Sequence, residues 1–124
     1  MTRDTGTSEP VGTLYAIVLD VNDLESCGGF WSEMLGKEIS FKTDKYCRIG
    51  GANDTPSLLL QKVPERHEHK NRAHIDLDVT DLEVAVQRTV DLGGTKLDEI
   101  SEYGIKWAVM ADPDGNEFCL VQHS

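Results

Sequence analysis

The chain has no run approaching the roughly 20 consecutive apolar residues that a membrane-spanning helix needs. It is also short of positive charge, with 12 Lys and Arg against 22 Asp and Glu and a formal net charge of −10. An acidic surface of this kind repels phosphate, which argues against nucleic acid and anionic membrane as partners. Cysteine is scarce and odd in number: Cys27, Cys47 and Cys119, with no C-x-x-C spacing. That pattern points to three thiols in a reducing cytoplasm rather than to a disulfide framework. Residues 1–12 are polar, lack the basic-then-apolar order of a secretory signal, and read as a flexible tail.

What is present is a repeat. The stretch Ala16-Ile17-Val18-Leu19-Asp20-Val21-Asn22-Asp23-Leu24-Glu25 returns 58 residues later as His74-Ile75-Asp76-Leu77-Asp78-Val79-Thr80-Asp81-Leu82-Glu83, with seven of ten positions identical. Both copies alternate with period two and then run into a capping pattern, so each reads as a strand feeding a helix. Asn22 with Glu25, and Thr80 with Glu83, are the expected N-terminal caps. The first helix is predicted to reach Leu35 and stop at Gly36, and its apolar residues Leu24, Cys27, Phe30, Trp31, Met34 and Leu35 recur at helical spacing. Gly28 and Gly29 each weaken it by about 1 kcal/mol relative to Ala, so it needs tertiary support; one or both would let a neighbouring backbone come close.

Strands are expected at 38–41, 46–49 and 57–63, around a turn at 50–54. The polar segment 64–71 reads as a linker. Its His67-x-His69 beside Glu65 and Glu68 is read as a solvated loop rather than a metal clip. The second half repeats the plan: a strand at 74–79, a helix striped by Leu82, Val86, Val90 and Leu92 that ends at Gly93-Gly94, and strands at 96–100, 105–111 and 117–122. Asp112-Pro113-Asp114-Gly115 is a turn by composition. The sequence thus predicts an α+β fold of two tandem β-α-β-β-β units, 13–63 and 72–124, in one domain. They form a curved eight-stranded mixed sheet with helices outside and a concave pocket inside. Tyr15, Ile17, Leu19 and Val21 are assigned to the helix side, and Ala16, Val18 and Asp20 to the hollow.

The run Ala111 to Phe118 (ADPDGNEF), the run Lys70 to Leu77 (KNRAHIDL), and Phe30-Trp31 before Leu35-Gly36 resemble the vicinal oxygen chelate superfamily, which holds glyoxalase I, bleomycin-resistance proteins, fosfomycin-resistance enzymes and extradiol dioxygenases. The resemblance covers 13–123 and is closest to small bacterial glyoxalase-like domains. Metal-using members hold one divalent ion with four residues, one on the first and one on the last strand of each unit. Carried onto this chain, those positions read Ala16, Leu58, His74 and Cys119. Ala and Leu offer no donor, so no metal cofactor is expected. A divalent ion held in a rearranged site would fall to His74, Asp76 and Glu117.

The expected pocket is lined by Ala16, Val18, Asp20, Leu58, Leu60, His74, Asp76, Glu117, Cys119 and Val121, with Trp107 as a further wall. Such an apolar cup with a few polar groups suits a small organic ligand. His74 beside carboxylates is a candidate acid–base group, and Cys119 a candidate nucleophile. Arg48 would meet an anionic ligand if it turned inward; a surface position is the alternative. The expected function is a glyoxalase- or bleomycin-resistance-like protein that binds a small, partly apolar molecule. The alternatives are a metal-dependent lyase, isomerase or dioxygenase, and an interaction module whose hollow takes a partner chain. The resemblance also implies a homodimer.

Overall fold

The computed structural model describes residues 14–51, 53, 56–69, 71 and 73–123. The expected tail over 1–12, and parts of the linker and of the turn at 50–54, lie outside them. The elements run β1 (Ala16–Val21), α1 (Leu24–Leu35), β2 (Ile39–Lys42), β3 (Tyr46–Ile49), β4 (Ser57–Lys62), β5 (Asp76–Asp78), α2 (Leu82–Asp91), β6 (Thr95–Glu102), β7 (Ile105–Ala111) and β8 (Glu117–Gln122). Hydrogen bonding groups the eight strands into two mixed four-stranded sheets, β1-β4-β3-β2 and β5-β8-β7-β6. The two orders are the same order, so the duplication read from the sequence is a duplication of topology.

Each helix covers its own sheet: α1 packs on β3 and β4, and α2 on β6, β7 and β8. Beneath them runs one continuous core. Val21, Cys47, Ile49, Leu58 and Leu60 of the first unit join Ala108, Met110, Phe118 and Leu120 of the second. Phe30, Trp31 and Phe118 meet edge to face, with ring centroids 4.8–6.0 Å apart, and weld α1 to the second unit. Aromatic contacts of this geometry add about 0.5–1.5 kcal/mol beyond burial. The helix that Gly28 and Gly29 weaken is therefore held from outside.

Only one of those glycines is needed for packing. A β-carbon on Gly28 would stand 3.1 Å from Cys47 Sγ, whereas one on Gly29 would meet nothing within 4 Å.

Both helix caps sit one residue later than expected. Asp23 caps α1, its side chain accepting from Ser26 N at 3.0 Å, and Asp81 caps α2, accepting from Val84 N at 3.2 Å. Asn22 is released for another task. Its amide donates to the carbonyls of Val63 and Glu65 at 2.9 and 2.8 Å, tying the start of the linker to the end of β1. The strand expected at 74–79 is shorter, Asp76–Asp78, which leaves His74 ahead of it.

Candidate functional site

β1 and β5 are edge strands of their sheets, and residues of β1 and of the stretch just before β5 face a common seam between the units. Ile17 and Ile75, equivalent across the repeat, both line a cavity of about 200 Å³ at that seam. A larger groove of about 710 Å³ follows the seam towards the linker, walled by Val18, Asp20, Asn22, His67, Asn71 and Asn116 among others. The linker, read from sequence as a solvated loop, thus forms a wall, and His67 lies over Gly115.

One end of the seam is locked by the Asp112-Pro113-Asp114-Gly115 turn. Asp112 is 2% exposed and its carboxylate accepts four hydrogen bonds. Trp31 Nε1 and Asn116 Nδ2 donate to one oxygen at 3.0 and 3.1 Å, and the backbone N–H groups of Asp114 and Asn116 to the other at 3.0 and 2.8 Å. Asp114 reaches across to the start of α1, where one of its oxygens accepts from the N–H groups of Asn22 (2.6 Å) and Asp23 (2.9 Å) and from Cys27 Sγ (3.2 Å). A carboxylate there also complements the helix dipole. Burial, then the Asp112 and Asp114 carboxylates, hold the Cys27 thiol far above the ordinary thiol range. Burial likewise raises the pKa of Cys47. Both are structural thiols, unsuited to nucleophilic work. Asn116 Nδ2 also donates to Asp20 O at 3.1 Å, so the motif that carried the family resemblance is the clasp between the units.

Strand register assigns the faces. In the first sheet Ile17 pairs with Leu58, Val18 with Leu59 and Leu19 with Leu60. Leu58 and Leu60 therefore share the helix side with Ile17 and Leu19, and Leu60 is fully buried. Their expected place in the pocket is wrong by one residue: the helix-free face carries Leu59. In the second sheet Asp76 pairs with Cys119 and Asp78 with Val121, so Glu117, Cys119 and Val121 do share the helix-free face with Asp76 and Asp78. Trp107 pairs with Val121 and joins them. Val18 is about half exposed, at 49%. Of the expected lining residues, Val18 and Asp20 reach the large groove, while His74, Glu117, Cys119 and Val121 stand outside it on the open face.

A protein-family model described as a glyoxalase-like domain matches residues 16–121. The chain belongs to the glyoxalase-like domain family. It is 27% identical over 130 residues to rat glyoxalase domain-containing protein 4, covering 96% of this chain and 43% of that protein, so the chain spans less than half of that relative's length. Among solved structures it resembles a glyoxalase-related enzyme from Fulvimarina pelagi (TM-score 0.74, 18% identity, 90% of this chain and 88% of that one). It also resembles the fosfomycin-resistance protein FosX from Mesorhizobium loti (TM-score 0.71, 14% identity, 94% and 95%). At these identities the structures establish the vicinal oxygen chelate fold alone.

The positions that the resemblance to metal-using members of the superfamily implies can be read from register rather than from sequence offset. Val18 and Asp76 are equivalent, and their partners are Leu59 and Cys119. The four positions are therefore Ala16, Leu59, His74 and Cys119, a set with two donors and no carboxylate. Among the described residues no three His, Cys, Asp or Glu side chains group closely enough to hold one ion, His74, Asp76 and Glu117 included. The residues present do not fit the family metal. His74 is exposed and makes no side-chain hydrogen bond or ion pair among the described residues. The histidine that does meet a carboxylate is one the sequence reading passed over: His123 Nδ1 lies 2.7 Å from Asp78 Oδ1, with both side chains largely exposed. Adjacency in space across 45 residues gave no sequence signal.

Proposed function

We propose that this glyoxalase-like domain binds a small, partly apolar organic molecule on the helix-free face beside the β1–β5 seam, without the metal that other members use. The observation that supports this most directly is the donor set Ala16, Leu59, His74 and Cys119. Two of the four positions have become apolar, which removes coordinating power and adds surface for an organic body. The seam groove, about 710 Å³ with Val18 beside the polar groups of Asn22, Asn71 and Asn116, is of a size for such a ligand.

The test pairs two measurements on the full chain. Metal analysis of protein purified without chelator should find far less than one divalent ion per chain. A panel of small organic compounds screened by thermal shift should contain stabilisers, because binding to the native state alone raises Tm. A stoichiometric bound ion would favour the metal-dependent lyase, isomerase or dioxygenase reading instead.

The same proposal includes a homodimer, since Phe41 is about half exposed on the edge strand β2, away from the seam, and a second copy would cover it. Light scattering on a sizing column checks it, and a clean monomer would overturn it. A reducing, cytoplasmic setting agrees with an odd number of cysteines and no C-x-x-C spacing, and among the described residues no helix is long and apolar enough to cross a membrane.

A further inference from the structure

Register lays out one row of side chains across the helix-free face of the first sheet. Val18 pairs with Leu59, Leu59 with Arg48, and Arg48 with Phe41. Neighbouring strands lie about 4.8 Å apart, so Arg48 stands about 10 Å from the seam groove with Leu59 between. The guanidinium is held in place. Its Nη1 donates to Tyr15 Oη at 2.9 Å and its Nε to Ser40 Oγ at 3.1 Å, and Ser40 Oγ in turn donates to Gly50 O at 2.6 Å. The Tyr15 contact spans β4, so Tyr15, expected on the helix side, commits its hydroxyl to Arg48 instead.

In a chain of net charge −10, Arg48 forms no ion pair among the described residues. Lys42 and Lys96, by contrast, are paired with glutamates. A guanidinium fixed by hydroxyls keeps its positive charge uncompensated and part of its donor fork free, and that fork matches a carboxylate. The corresponding row of the second sheet is Asp76, Cys119, Val109 and Asp98, with valine where the first unit has arginine and with acidic side chains at both ends. The two halves of the face thus have opposite electrostatic character.

We propose that Arg48, oriented by Tyr15 and Ser40, is the anion-recognition residue of this face. The ligand is an organic acid whose carboxylate meets Arg48 and whose apolar body lies over Leu59 and Val18 towards the seam. The acidic row of the second unit repels the carboxylate and fixes which way round the molecule binds. This rests on the small-molecule reading above and specifies its ligand class.

The test uses the intact chain and matched probes: hexanoate with hexanamide, and benzoate with benzamide, followed by titration calorimetry and thermal shift at constant pH. The acids should bind at least about tenfold more tightly than their amides, the size of a charge-assisted hydrogen bond. Arg48→Gln should abolish that preference, weakening the acids about tenfold more than the amides. Salt provides a check that needs no variant: acid affinity should fall between low and high ionic strength and amide affinity should not. Equal binding of acids and amides, or an acid preference that survives Arg48→Gln, overturns the assignment of Arg48 while the small-molecule reading stands. Failure of both probe classes to bind overturns both.

Discussion

Asp112→Asn is the substitution that tests the clasp between the units most sharply. The carboxylate is buried, and all four of its contacts are donors: Trp31 Nε1 and Asn116 Nδ2 on one oxygen, two backbone N–H groups on the other. An asparagine of the same shape has one accepting oxygen and one NH2 group. Whichever way the amide turns, two of the four donors face another donor. Hydrogen bonds to a charged group contribute about 1.5–3 kcal/mol, and a buried donor left unsatisfied costs about 1–3 kcal/mol. Losing two acceptor contacts and the negative charge should therefore destabilise the fold by about 3–4 kcal/mol. That is a large part of the roughly 5–15 kcal/mol a domain of this kind has, and Tm should fall by about 10 °C. Trp31→Phe removes only one donor and trims the ring contacts, for a loss of about 2 kcal/mol. The double variant should lose less than the sum, because the phenylalanine removes one of the donors the asparagine cannot serve. Urea unfolding at fixed protein concentration, read by circular dichroism, gives all four corners of the cycle. If Asp112→Asn lies within about 0.5 kcal/mol of the parent, the acceptor-only argument is wrong.

Three further outcomes follow from faces, glycines and thiols. Leu58→Ala should cost about 2–4 kcal/mol and Leu59→Ala less than about 1 kcal/mol in the same unfolding assay, and the reverse order would refute the register-based face assignment. Gly29→Ala should stabilise by up to about 1 kcal/mol because its site is open. Gly94→Ala should destabilise, since its β-carbon would stand 2.8 Å from Thr89 Cγ2 and 3.0 Å from Ala111 O; equal effects in a thermal melt would contradict this. The Cys27 thiol is raised in the folded state, so its contribution is complete below the unfolded value near 8.5 and is lost as pH rises above it. Stability should fall above about pH 8.5 by as much as about 1.4 kcal/mol per pH unit from this thiol alone. Cys27→Ser should flatten the decline, with a residue left to Cys47, and identical slopes from pH 7.5 to 10 would sink the point.

The duplication, the element order and the cup-like class of fold were legible because strand, cap and helix recur together at one offset. Periodicity and capping are local properties, and the two copies check each other. Cap positions were one residue off for a local reason: Asn22-Asp23 offers two adjacent residues with capping side chains, and only the tertiary use of Asn22 on the linker decides between them. The clasp was not legible at all. Asp112 and Asp114 read correctly as a turn, but their partners on and just ahead of α1 lie 81 to 92 residues away in the chain.

The face error on β4 has a more general cause. In β8 the core and open positions differ in kind, with Phe118 and Leu120 inward and Cys119 outward, so alternation can be seen in the residues themselves. In β4 the corresponding run is Leu58-Leu59-Leu60, three identical side chains. A one-residue slip there turns every side chain to the opposite face, and nothing in the composition resists it. The repeat offset is then the sole guide, and it points one residue away from the true partner because the halves differ in loop length. Only the ladder to β1 resolves it, through Val18 and Leu59. The same ladder places Arg48 on the open face, between the core residues Cys47 and Ile49. A lone arginine amid apolar neighbours reads as surface until the strands on either side show which way it points. Its candidacy as an anion receptor is therefore a property of pairing, and becomes visible only when three strands are aligned.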